Sequence, residues 1–491
     1  MSSPYVWSFT TYFTEGFPYS IIRSVSAVFF RDMKVSLESI GLTSLFGLPW
    51  IIKFLWGPQV DEYSSKRRWM LVMQSLLVGM MLLAALFAPL QFNVQAIAVL
   101  FFIGSFIAAT HDIAIDGYYM EALDTDGQAK FVGYRTMAYR VAWLTGNGVV
   151  VTIGVTMGWT LAFIGAAVLF GLFLVYHLFF LAEVETVDKP ARLLFGGVFK
   201  PKTLAAFITA IMAILGIRHF FNSDIYSGLE AGFPLLKKVS FAHWVALILL
   251  LGLVLVGLLR RRIKEWLFRD PDSYYGKAFI YFMERDKVSI ILAFIILLRA
   301  GEWTLANMVS PFIVDLGIKI HYGWISSVVG LPASIAGAML GGWAISKFSL
   351  KKVIWPFILA QNFSNVIYMG LAIHLADFLA KNQGAEEVVS IGAANLALTA
   401  AVHGFDQFAS GLGTAVLMTY LMRICHQEFK AAHYAIGSGL MNLTGLFAGV
   451  LSGIIAGAWG YAWLFGISFA AAIPAMALIP FLPYLDEKKQ L

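Results

Sequence analysis

A single cysteine, Cys425, occurs among 491 residues, which excludes an internal disulfide framework and any cysteine-based metal cluster. Charge is scarce as well: Asp, Glu, Lys and Arg make up 13% of the chain against 59% hydrophobic residues, and mean hydropathy is +0.76. Soluble domains carry about 25% charged residues, so a soluble fold is excluded. The N-terminus lacks the charged start and small-residue cleavage site of a signal peptide, so the first apolar segment, from about Trp7, is expected to stay as a helix. Also missing is the alternating pattern of a membrane barrel. What recurs instead, from end to end, are apolar windows of about 20 residues, enough for a helix to cross a hydrocarbon core of about 30 Å. The net charge of +6 does not mark a nucleic-acid binder, because the lysines and arginines sit in short loops between these windows.

The expected architecture is all-α and integral to the membrane, with fourteen transmembrane helices at about 7–30, 38–60, 69–88, 94–119, 131–156, 158–182, 203–222, 239–259, 288–314, 323–346, 353–376, 387–420, 430–457 and 461–483. Lys66, Arg67, Arg68, the 189–202 and 260–287 groups, Lys347, Lys351 and Lys352 then fall on one side. Only Arg31, Lys34, Lys237, Lys238, Lys319 and Lys381 fall on the other. Positive charge is retained inside, so both termini are expected in the cytoplasm. An internal repeat is visible. The segment G-P-Q-V-D-E-Y-S-S-K-R-R at 57–68 returns as G-W-A-I-S-K-F-S-L-K-K at 342–352, each after a G-L-P triplet, at Gly47 and Gly330. Lys130, Tyr134 and the L-T-G at 144–146 answer to Lys430, Tyr434 and the L-T-G at 443–445. Two six-helix halves are therefore expected, 1–190 and 288–491. Between them, 191–287 holds an inserted helix hairpin and a basic, amphipathic cytoplasmic linker whose solvated face suits lipid headgroups. Two repeated halves around a midplane site are the plan of the major facilitator fold, which works by alternating access.

The chemistry lies in charges placed inside spans. Asp112 and Asp116 follow an apolar run from Val94 to Thr110 and stand four residues apart on one helix face. A carboxylate at a helix centre costs about 2.5–3.5 kcal/mol even on lenient insertion scales, so such acids are retained where they meet water, a cation or a proton. That makes the chain a candidate transporter. Glu15, beside Gly16 and Pro18, is either a proton carrier or half of a buried pair with Arg23. Lys53, inside W-I-I-K-F-L-W, either binds a ligand or charge partner, or snorkels toward the interface. Asp112, Asp116, Arg140, Arg299, Glu302 and Asp406 form the expected core constellation. An arginine keeps its charge, so a protonatable acid beside it gives the pair two states, and protonation frees the arginine for a substrate carboxylate. The alternative is a static latch between helices. His111, His403 and His433 are either relays or satisfied donors, and their spacing does not assemble three metal ligands. Gly411, Gly413, Gly437, Gly439, Gly445, Gly449 and Gly453 offer small faces for close helix packing.

The loop at 57–68 resembles the signature of the major facilitator superfamily between its second and third helices, with Glu62 where an arginine is usual. I-K-F-L-W-G-P-Q-V-D at 52–61, H-D-I-A-I-D-G-Y at 111–118 and Y-R-V-A-W-L-T-G at 139–146 together are similar to the AmpG-type muropeptide permeases, whose relatives include acetyl-CoA transporters. R-A-G-E at 299–302 and F-D-Q-F-A-S-G-L-G-T at 405–414 extend the resemblance into the second half, and Arg135 is an additional basic residue. The resemblance implies proton-driven import of anhydromuropeptides, the sugar peptides released in wall turnover, across a bacterial inner membrane. Glu15, Asp112, Asp116, Glu302 and Asp406 are the candidate proton-coupling acids, and Lys53, Arg140 and Arg299 the candidate substrate cations. Tyr139, Trp143, Trp303 and Tyr118 are candidates for stacking on sugar rings, or they simply pack. The expected partners are the sugar peptide, protons and membrane lipids. No metal, cofactor or nucleic acid is expected, and the chain is expected to act as a monomer. Another bulky anion, such as a coenzyme A ester or a peptide, is the alternative cargo. An intramembrane enzyme is disfavoured, because D-x-x-x-D at 112–116 lacks the longer, doubled acidic motif that membrane prenyltransferases use to hold magnesium diphosphate.

Overall fold

The computed structural model describes residues 3–34, 46–185, 189–190, 223–232, 273–383 and 389–486, with isolated positions between 212 and 265. Its regular structure is helical. The chain opens with α1 (Pro4–Ser20), which passes through a π-helical turn at Ile21–Val25 into α2 (Ser26–Asp32). Pro18 contributes no backbone N–H, and the wider turn follows directly after it. Next come α3 (Leu48–Ile52), a 3-10 turn at Lys53–Leu55 and α4 (Gly57–Glu62). Pro58 offers no N–H to the Phe54 carbonyl, and the segment is broken at 53–56 where one uninterrupted helix was expected. Long helices follow: α5 (Lys66–Phe87), α6 (Asn93–Ala122) and α7 (Thr125–Leu144). A second π-turn at Thr145–Val150 leads to α8 (Val151–Met157) and then α9 (Trp159–Phe180).

The expected hairpin at 203–222 and 239–259 lies almost wholly outside the described residues. The intervening stretch, expected as a loop, contains a helix, α10 (Asp224–Gly232). The linker contributes α11 (Tyr274–Met283). The second half contains α12 (Val288–Leu298), α13 (Ala300–Asp315), α14 (Lys319–Trp324), a π-turn at Ile325–Gly330 and α15 (Leu331–Phe348). It ends with α16 (Leu350–His374), α17 (Ala376–Asn382), α18 (Gly392–Arg423) and α19 (Lys430–Leu478), the last kinked at Gly460, where φ is +82°.

The fourteen expected spans are not all present as long apolar helices. Among the described residues, seven helices are long and apolar enough to cross a membrane, or up to eight if the bent pair Gly392–Arg423 and Gln427–Gly445 counts as one. Hydropathy windows average over breaks, and the breaks at Ile21–Val25, Lys53–Leu55 and Thr145–Val150 divide expected spans into pieces. Large apolar side chains cover the outside, as with Phe179 at 77% exposed, which suits a surface solvated by lipid tails.

Since lipid is as apolar as leucine, helix association here depends on close packing. α1 packs on α6 and α7, α5 on α6 and α9, α13 on α19, and α16 on α18 and α19. α7 packs closely on α15: a Cβ at Gly342 would lie 2.6 Å from the Ala129 carbonyl oxygen, and one at Gly133 would run into the Met339 backbone. Gly411, on one of the expected small faces, meets α15 at Ser334 and Ala338, whereas Gly453 faces open space.

A second contact joins the two parts of the chain at the end carrying the 57–68 loop. Asp61 accepts hydrogen bonds from the backbone N–H of Ala431 (3.2 Å) and Ala432 (2.7 Å), capping the N-terminus of α19. Lys66 pairs with both Asp61 (3.1 Å) and Glu185 (2.7 Å), and Lys430 pairs with Glu121 (2.9 Å). Burial raises Asp61 and Glu185 above the ordinary carboxylate range despite the Lys66 ammonium between them.

Candidate functional site

α6 supplies the centre of the site. One helical turn apart, Asp112 and Asp116 both point into the protein, where α1, the 3-10 turn and α7 meet them. The Lys53 ammonium, 2% exposed, lies 2.5 Å from Asp112, so this lysine is an interior charge partner and does not snorkel. Asp116 accepts from the Tyr12 hydroxyl (2.9 Å) and from Arg135 (3.3 Å). Arg135 also donates to Tyr12 (2.6 Å) and to the Tyr434 hydroxyl from the second half. Its guanidinium lies over the rings of Tyr12 and Tyr119, 4.8 and 4.9 Å from their centroids, an arrangement that adds cation–π attraction to the charge pair. Glu15 sits beside Asp112 and keeps one buried oxygen without a partner. Carboxylate oxygens of Glu15, Asp112 and Asp116 all lie within 4.8 Å of one another. That density would suit a metal ion, but Lys53 and Arg135 already occupy the cluster as its cations.

The second half builds a different arrangement. Glu302 accepts from Arg299 (3.1 Å), from the Ser410 hydroxyl (2.6 Å) and from the Gln361 amide (2.5 Å), and Arg299 also donates to Thr414 (2.7 Å). Asp406 is buried against neutral groups, accepting from Ser364 (2.8 Å) and Gln407 (3.1 Å), and it has no ion-pair partner among the described residues.

The expected constellation therefore divides in two, and α7 spans the division. Arg135 and Arg140 are five residues apart, about 140° around a helix. Arg135 reaches the acids of the first half, whereas Arg140 feels the charges of Glu302 and Arg299. Arg140 is half-buried and has no hydrogen bond or ion pair among the described residues.

The aromatic candidates separate as well. Tyr139 and Trp143 gather around Tyr19, with ring centroids 6.0 and 5.6 Å away, and Trp50 meets the same ring edge-on at 4.8 Å. Trp303 lies over Gly445 with its buried indole N–H unpartnered. Tyr118 donates to the Ala182 carbonyl (2.9 Å) and packs on Trp7, away from both charge groups. His111 joins a buried Gln74 bridge to His177 (3.0 and 2.9 Å), and His403 meets the Tyr368 hydroxyl (2.9 Å). Arg23 places its guanidinium over Gly47.

Sequence reasoning missed Tyr12, Tyr19 and Tyr434, and it passed over the polar run Q-N-F-S-N at 361–365. Gln361 and Ser364 in that run hold Glu302 and Asp406. A cluster of amides and hydroxyls inside a span was the available signal.

Residues 8–269 match the model of the Major Facilitator Superfamily. The anhydromuropeptide permease of Escherichia coli K12 is 23% identical over 479 residues, covering 95% of this chain and 77% of that protein. Among solved structures, the proton:xylose symporter XylE bound to 6-bromo-6-deoxy-D-glucose aligns with a TM-score of 0.60 at 13% identity, covering 98% of this chain and 97% of its own. A peptide transporter in complex with sulfate aligns with a TM-score of 0.59 at 14% identity, covering 97% and 94%. The chain shares the fold of these two proteins.

Proposed function

Because this chain belongs to the Major Facilitator Superfamily, we propose that it is a proton-coupled symporter that imports anhydromuropeptides across a bacterial inner membrane. Both termini and the 57–68 loop then face the cytoplasm. Residues 1–190 and 288–491 act as two rocking halves, and 191–287 joins them. The observation that carries this reading is Arg140, a half-buried cation with no partner among the described residues, set against the Arg299–Glu302 pair of the other half. A substrate carboxylate supplies the charge Arg140 lacks, and Arg299 turns from Glu302 to the same anion. Tyr139, Trp143 and Tyr19 offer ring faces to the sugar, and the Trp303 indole N–H offers a donor.

Proton coupling rests on the first-half cluster. Three carboxyls share two cations there, and an uncompensated buried charge costs several kcal/mol. One proton, shared between the neighbouring Glu15 and Asp112 carboxyls, balances the group. Losing it toward the cytoplasm tightens the hold of Lys53 on Asp112, and regaining it from outside loosens that hold. Asp406, whose partners are neutral, is the second acid able to exchange a proton without abandoning a cation.

Labelled anhydromuropeptide offered to inverted and right-side-out vesicles tests this. Accumulation in right-side-out vesicles should follow an inward proton gradient and collapse with a protonophore. Equal uptake with and without the gradient would remove the coupling, and no uptake under any gradient would remove the substrate.

A further inference from the structure

Arg285, two residues beyond α11, is buried at 6% exposure and has no carboxylate partner among the described residues. One guanidinium nitrogen makes a long contact to the Phe282 carbonyl (3.4 Å), and another meets His433 Nδ1 at 2.5 Å. The plane lies 4.5 Å from the Phe282 ring centroid, and Nε has no acceptor. His433 brings no negative charge. Its Nδ1 accepts from Arg285 and from the His426 backbone N–H (3.0 Å), so its proton is on Nε2, directed at the Ala278 carbonyl (2.9 Å). Other groups acting on Arg285 are the Cys425 thiol and the hydroxyls of Tyr484 and Tyr420. The Tyr420 hydroxyl is also buried without a partner, and the Cys425 thiol donates to Leu421. Burial brings Arg285 down to about 10, so it stays charged at neutral pH and its desolvation is not relieved by losing the proton.

Two buried donors without acceptors thus accompany a buried cation without a counter-ion. We propose that Arg285 and Tyr420 form a site for one small monovalent anion of the chloride class, held by Arg285 Nε–H and the Tyr420 hydroxyl. Water would satisfy the donors but not the charge; an anion does both. The site lies beside the joint where α11 crosses from one half to the other. Phe279 meets Phe54 at 6.4 Å, Tyr274 donates to the Glu428 carbonyl (2.6 Å), and Ala278 packs on Phe429 and Ala432, next to the residues Asp61 caps. Anion binding therefore firms the contact between the two parts of the chain at this end.

The test is thermal unfolding of the full-length protein in detergent, with chloride exchanged for gluconate at constant ionic strength. A saturable rise of about 2–4 °C in chloride is expected from a ligand that binds the folded state alone. Arg285→Gln should abolish it and Tyr420→Phe should at least halve it, while Arg140→Gln should leave it intact. No difference between the two anions overturns the site. So does a chloride response that survives Arg285→Gln, or one that is lost in Arg140→Gln but retained in Tyr420→Phe. If Arg285→Gln does not fold, Tyr420→Phe against Arg140→Gln decides.

Discussion

In the first half, buried acids and cations are locked together, Lys53 on Asp112 and Arg135 on Asp116, with Glu15 beside them. In the second half, Glu302 shares its arginine with two neutral donors, and Asp406 has neutral donors alone. A tight ion pair resists loss of either member, because the survivor is left charged in a dry site. A carboxyl among hydroxyls and amides loses or gains a proton without stranding a partner. Residues 1–190 and 288–491 thus surround their buried acids differently.

The same contrast holds in the repeated loops. Asp61 caps the opposite helix α19 through two backbone N–H groups, whereas Ser346, at the matching place in the second copy, makes a single hydrogen bond to Asp126 (2.7 Å). There α7 caps itself through Asp124. The two L-T-G copies differ too, since the first enters a π-turn at Thr145 and the second stays within the regular helix α19.

The largest effect is expected from Asp116→Asn, which removes the charge Arg135 answers to and should reduce gradient-driven uptake by more than about 100-fold. Normal accumulation in that variant would take Asp116 out of the coupling path. Next, Lys53→Met should destabilise the protein by about 3–5 kcal/mol by leaving Asp112 unpaired, and adding Asp112→Asn should recover most of the loss. Asp406→Asn strands no cation and should cost under about 1 kcal/mol. Equal losses in Lys53→Met and Asp406→Asn, read by thermal unfolding in detergent, would erase the difference between the halves.

Arg140→Ala should raise the apparent KM for substrate about tenfold with little change in stability, because no native pair is broken. An unchanged KM contradicts a binding role. The smallest effects concern the loops. Cys425, the chain's one thiol, is buried in the crevice lined by Glu121 and Lys430, so its maleimide labelling rate reports opening at that end. Asp61→Ala should speed labelling about tenfold through loss of a charged helix cap, and Ser346→Ala less than about threefold. The reverse order would show that the second loop, not the first, holds this end together.

Much of this was legible beforehand. The paired aspartates, the two loop copies and the R-A-G-E segment were visible because their spacing is local. Arg135 was noticed only as an extra base. Nothing within one helix says that α7 turns Arg135 toward Asp116 and Arg140 toward Glu302, since that depends on which helices pack on each face. For Lys53 the sequence left two readings, and its contact with Asp112, 59 residues away, decided between them. Among the described residues fewer long apolar spans stand than expected for a related reason: a window mean does not register a π-turn or a broken helix.

The sequence alone determined that the chain lives in lipid, that it is helical, that its loops repeat and that several acids must be accommodated within spans. These follow from composition and period, because hydrocarbon penalises every unmatched backbone group and charge. Which cation meets which acid, where the halves press together and which arginine is left without a partner were decided only by tertiary structure. Partners in those pairs are separated by tens to hundreds of residues, and only the folded packing of helices brings them within hydrogen-bond reach.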